Sequence, residues 1–123
     1  MAVNPVSIEN IKPTHVDGAH VYITDANHKE TMFVGAIEDT TLIDLRGIAL
    51  NLKSKYIVQV FFACRIHFNL VQAEALKKEI SLFRNYEDKQ ELNDGCLHAL
   101  DILEAAANII LEHKGDYIYI IGD

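Results

Sequence analysis

The chain has 123 residues, half of them apolar and 24% charged, with a formal net charge of −7. That length suits one domain around one core, and the composition is that of a folded chain rather than a disordered one. The acidic balance argues against general nucleic-acid binding, because neutralising phosphate takes a surplus of Lys and Arg.

Only two cysteines are present, Cys64 and Cys96, both inside apolar periodic segments where a free thiol acts as a small hydrophobe. A disulfide framework would need more of them, placed in loops, so a reducing compartment and a cytoplasmic location are expected. Met1 to Pro13 lacks the apolar stretch of a signal peptide. The longest apolar run, Ile57 to Ile66, is interrupted by Gln59 and Arg65 and falls well short of the ~20 residues that span a membrane.

In chain order, Ala19–Asp25 and Thr31–Ile37 are β-rich runs joined by turn formers, and they predict a hairpin. Gly35, inside the second run, marks a bulge or a close backbone approach. A helix is predicted from Thr41 to about Ser54, with Thr41 and Asp44 laid out as a capping box and Leu45, Ile48, Ala49 and Leu52 at helical spacing. A third strand over Thr40–Leu45 is the competing reading, and Gly47 weakens the helix by about 1 kcal/mol relative to Ala.

Tyr56–Phe68 is apolar at every second position and largely apolar in between, which predicts a central strand covered on one face fully and on the other partly. Asn69 with Gln72 opens a helix to about Asn85, with Ala73, Leu76, Ile80 and Phe83 inward. Asp88–Lys114 reads as the longest helix, stopped by Gly115. Asp116–Ile121 is apolar on both faces and predicts a strand internal to the sheet. The expected class is therefore α+β: a mixed sheet of about four strands packed with three helices, in the order β-β-α-β-α-α-β. A right-handed parallel crossover is expected over 31–68.

Catalytic and metal motifs are missing. Cys64 and His67 would leave opposite faces of a strand, Cys96 and His98 diverge around a helix, and no P-loop, GxGxxG, CxxC pair, HExxH or GxSxG pattern occurs. No cofactor and no metal are expected. His15, Asp17, His20, Asp25 and His28 crowd the first strand and its flanks. A small hydrolase-like acid–base site there is the alternative reading, although no nucleophile or glycine-rich anion cradle accompanies these residues, and solvated loop residues explain them as well.

Charge placement carries more. Residues 1–45 have a net charge of −5, residues 46–84 of +5 and residues 85–116 of −6. Along the last helix Glu87, Glu91, Asp94, Asp101 and Glu112 follow helical spacing, with His98 between Asp94 and Asp101, and Ile102 and Ile109 flank this ridge. Charge beside exposed aliphatics makes a docking surface for a basic partner. Against this stands the plainer possibility that the isoleucines pack inward, the ridge merely faces water, and Lys77, Lys78 and Arg84 neutralise part of it.

The expectation from sequence is thus a small, acidic, non-enzymatic binding protein of the inhibitor or immunity type, neutralising a basic protein partner such as a bacterial toxin nuclease. Its partner-binding residues would be Glu87, Glu91, Asp94, His98, Asp101, Ile102, Ile109 and Glu112. No membrane and no nucleic acid are expected as partners. Pairing through a hairpin edge into a homodimer is the third expectation.

Overall fold

The computed structural model describes residues 3–10, 17–62 and 65–122, and the side chains of all of these except residues 61 and 62. The fold is α+β. A five-stranded sheet runs in the order β1-β3-β2-β5-β4, with β1 at Val6–Ser7, β2 at Gly18–Thr24, β3 at Glu30–Glu38, β4 at Arg65–Phe68 and β5 at Tyr117–Gly122. Three long helices accompany it: α1 (Asp39–Leu52), α3 (Leu70–Arg84) and α4 (Asp94–Glu112). A single turn, α2 (Gln59–Phe62), lies between α1 and β4.

The hairpin forms as expected, with β2 antiparallel to β3. Its turn is closed by Asp25, whose carboxylate accepts from the backbone N–H of Asn27 (2.9 Å) and Lys29 (3.0 Å). β5 is internal, between β2 and β4, and its alternate residues Ile118 and Ile120 are buried.

Every pairing between named strands is antiparallel, so the sheet is not mixed and the expected parallel crossover does not form. β3 and β4 are separated by β2 and β5. Among the described residues of the predicted central strand over Tyr56–Phe68, those in a strand are Arg65–Phe68, and that strand lies at the sheet edge.

The reason sits one helix away. Glu79, on α3, accepts hydrogen bonds from three successive main-chain amides, those of Lys55 (2.8 Å), Tyr56 (3.1 Å) and Ile57 (3.0 Å). Just before them Lys53 takes a left-handed conformation (φ 53°, ψ 45°) that ends α1. Three neighbouring N–H groups aimed at one carboxylate cannot alternate as a strand requires. The apolar residues of this stretch are used differently: Ile57 and Val60 are buried in the core.

Helix starts also differ from expectation. α1 begins at Asp39, two residues early, without the Thr41–Asp44 box. Its N-cap Glu38 gives no side-chain hydrogen bond, and the Asp39 amide donates instead to the Asp17 carbonyl (3.0 Å). Asp44 accepts from the Asn93 side-chain amide (3.0 Å). α4 begins at Asp94 rather than Asp88, because Asn93 caps it by accepting from the Cys96 amide (2.9 Å). Asp88 spends its carboxylate on a local turn, accepting from Gln90 and Glu91. At α3 the Asn69–Gln72 capping box is present in both directions, each bond 2.9 Å long. After α4 the chain turns at Gly115, whose φ of +110° suits glycine.

All three long helices pack on one face of the sheet. Ala19, Val21, Ile23, Ile37, Ile118, Ile120 and Phe68 supply the sheet side of the core. The largest helical share comes from α4, which buries Cys96, Ala99, Leu100, Ile102, Leu103, Ala106, Ala107 and Ile110. At Gly35 α4 packs tightly on β3: a Cβ there would lie 2.9 Å from Ile102 Cδ1 and 3.0 Å from its Cγ1. The close approach expected at this glycine is made by an isoleucine side chain.

Two stability measurements follow. Glu79→Ala should cost about 2 kcal/mol in chemical denaturation, because hydrogen bonds to a charged acceptor are worth ~1.5–3 kcal/mol and three amides lose theirs. Gly35→Ala should cost about 1–3 kcal/mol by overpacking, and Ile102→Val, which removes the offending methyl, should recover part of that in the double variant. Additive single effects would show that the two residues do not share this contact.

Candidate functional site

The residues picked out by charge and periodicity scatter over different surroundings. Asp94, His98, Asp101 and Glu112 do lie along the outer side of α4. Asp94 and Glu112 are exposed, but 18 residues of helix, about 27 Å, separate them. Between them Asp101 is held by Arg84 of α3, whose Nη2 approaches Asp101 Oδ1 at 2.7 Å and Glu104 Oε1 at 3.3 Å. The middle of the ridge is therefore cancelled from within the molecule. Glu87 and Glu91 do not belong to the helix at all, since they lie in the loop before it.

The two isoleucines are not exposed flanks. Ile102 is buried, 2% exposed, against Gly35 of β3, and Ile109 is half-buried against the core. His98 is half-buried, with its Nδ1 out of contact with any polar partner. It lines a cavity of about 250 Å³ with Ala36, Glu38, Thr41, Gly95 and Ile102. Helical spacing placed Asp94, His98, Asp101 and Glu112 on one side of α4, but it could not foresee that Glu87 and Glu91 precede the helix or that Arg84 reaches across from α3.

What the loop acids build instead is a groove. The segment between α3 and α4 runs beside α1, and the two enclose an open groove of about 710 Å³. Asp44 and Gly47 of α1 line it together with Asp88, Gln90 and Glu91 of the loop, and no lining residue is basic. Ile43 and Leu50, 70% and 55% exposed, stand on its α1 side. Hydrogen bonds hold the walls in place: Asn93 to Asp44, Asn51 Nδ2 to the Tyr86 hydroxyl (2.8 Å), and the Tyr86 hydroxyl to Glu91 (3.3 Å). Lys89, the cation of this loop, turns away and donates to the Arg84 carbonyl. Exposed Ile43 and Leu50, seven residues apart on α1, were the sequence signal for this surface.

The histidines of the alternative reading do not converge. His15 lies outside the described residues, as does Cys64. Asp25 is committed to its turn. His20 lies on β2 near Phe33, whereas His28, in the turn at φ 61°, meets His67 of β4 at a ring-centroid distance of 4.8 Å. Four residues of extended strand, about 13 Å, and then the turn separate His20 from His28. Among the described residues no group of three or more His, Cys, Asp or Glu side chains is placed to hold a metal ion.

His28 and His67 instead end a row of rings on the face of the sheet opposite the three long helices. Phe33, Tyr22, Tyr119 and His67 come from β3, β2, β5 and β4 in turn, with centroids 5.3, 6.3 and 4.5 Å apart. Cys96, by contrast, is buried in the core; burial pushes its thiol above the usual range, and its Sγ approaches the Glu91 carbonyl at 3.6 Å.

Comparison with protein-family models, curated proteins and solved structures finds no match to this chain. Among the described residues, no helix is long and apolar enough to cross a membrane.

The ring contacts have a titration signature. His67 is held below the ordinary imidazole value of 6.5, first because the packed rings displace water from it and second because of the neighbouring His28. Its charged form is disfavoured in the fold, so the unfolded chain takes up the proton first as pH falls through 6.5, and His67 then detracts from stability. An NMR titration should place the His67 midpoint below 6.5, and His28→Ala should raise it. An unmoved midpoint would show that the two rings do not sense each other.

Proposed function

We propose that this protein is a non-enzymatic binding protein of the inhibitor or immunity type, which neutralises a basic protein partner such as a toxin nuclease domain. The observation that carries this reading is the groove between α1 and the loop before α4. It brings together Asp44, Asp88 and Glu91, has no basic residue in its lining and is flanked by exposed Ile43 and Leu50. Glu87 and Asp94, exposed and adjacent in sequence to groove residues, extend the negative field.

The physical argument is division of labour. Carboxylates at an open groove with no basic residue in its lining steer a cationic surface and raise its encounter rate, while the aliphatic side chains supply burial once contact is made. The hydrogen bonds from Asn93 and Tyr86 keep Asp44 and Glu91 in place, which lowers the ordering cost of binding. The contact surface therefore shifts from the ridge of α4 to its start and to α1. Glu87, Glu91 and Asp94 remain in it; Asp101, Ile102 and Ile109 drop out, and Glu112 lies at the far end of the helix.

The test is capture of a basic protein from the native host, followed by titration of the captured protein. Asp44→Lys with Glu91→Lys, plus Asp88→Asn to preserve the turn, should weaken binding by about tenfold or more at low salt, with the difference shrinking as salt is added. Capture that survives these changes and ignores salt would remove the reading.

A further inference from the structure

The sheet has a second face, and among the described residues none of the three long helices packs on it. In strand register its side chains form three rows. Ala36, His20, Ile121 and Arg65 make one row across β3, β2, β5 and β4, and Phe33, Tyr22, Tyr119 and His67 make the next. Glu30 and Tyr117 belong to a third row, whose β2 member, Thr24, is fully buried. The middle is aromatic, and the charged groups stand at opposite corners: Arg65 on β4 at one end, Glu30 on β3 at the other. Neither has an ion-pair partner among the described residues. Glu30 lies close enough to Tyr22 to help raise its phenol above the usual value, behind burial as the first cause.

We propose that this face pairs with the same face of a second copy of the chain, the two sheets crossing near a right angle about a two-fold axis. Charge complementarity selects that arrangement. A two-fold axis lying in the interface along the diagonal that avoids both charged corners sets Arg65 of each copy opposite Glu30 of the other, twice. It also sets Tyr22 and Tyr119 at the centre, His67 over Tyr117, and Phe33 over His20 and Ile121. Near-orthogonal crossing is one of the two ordinary ways in which sheets pack face to face. An axis parallel to the strands would bring Arg65 opposite Ala36 and Glu30 opposite the corner beside His28, so the two charges would not meet.

Size agrees with a weak pair. Four strands about 4.8 Å apart and about six residues long give a plan area of about 400 Å² per copy. Standing side chains enlarge that area toward the ~600 Å² per partner at the low end of specific interfaces. The dimer should therefore dissociate on dilution. Aromatic faces also stack single-stranded nucleic acid, but such platforms are lined by several cations, and Arg65 is the one cation in these three rows. This inference uses a different surface from the acidic groove, so each stands or falls alone.

Analytical ultracentrifugation of the full chain from micromolar to millimolar concentration is the experiment, with folding of each variant checked by circular dichroism. The wild type should double in mass as concentration rises. Arg65→Glu and Glu30→Arg should each weaken the pair by about tenfold or more, and the double swap should restore it to within a few-fold of wild type. If a reversal disturbs folding, Arg65→Gln and Glu30→Gln serve instead, and each should weaken the dimer. A chain monomeric throughout, a dimer indifferent to either charge, or a monomer that binds labelled oligothymidine would overturn the proposal.

Discussion

The packing of α4 governs most of what surrounds it. Eight of its nineteen residues are buried, and they cover an arc wide enough to meet β2, β3, β5, α1 and α3 together. A helix hidden over so much of its circumference has little surface left for recognition. Its outer strip is narrow, and the neighbouring α3 supplies Arg84 to the middle of that strip. With α4 central, the other two long helices lie beside it on the same face of the sheet, and among the described residues no long helix packs on the opposite face.

Electrostatics in this molecule are decided by which segments touch. The chain alternates acidic, basic and acidic stretches. Among the described residues, Arg84 of the basic middle stretch reaches the acids of α4, in a half-exposed pair whose contribution to stability is small. Its more consequential effect is to redistribute negative potential toward the start of α4. There Asp44 of the first acidic stretch joins Asp88 and Glu91 of the last. Two segments far apart in sequence thus produce one negative groove that neither would form alone.

Glu79 shows how one side chain can override a strong local pattern. Tyr56 to Phe68 has the composition of a strand, and nothing between Tyr56 and Ile57 contradicts it. Yet a carboxylate more than twenty residues downstream satisfies three consecutive amides and bends that backbone. Main-chain groups take the best available partners, and a fixed anion on a packed helix competes well with a sheet ladder. The sheet edge is then made by the short β4.

Sequence alone settled the α+β class, the hairpin, the extent of α3 with its capping box, and the placing of β5 inside the sheet. Each of these depends on neighbours within a few residues: alternation, helical spacing, an Asn–Gln pair, a double-sided apolar run. Tertiary structure decided the antiparallel strand order, the fate of residues 53–62, the burial of Ile102 on Gly35, and the union of Asp44 with Glu91. In each of those a group acts on another at least five residues away, as with Arg84 on Asp101 or Asn93 on Asp44. Spacing along the chain records which side a residue faces, but not which distant element arrives to meet it.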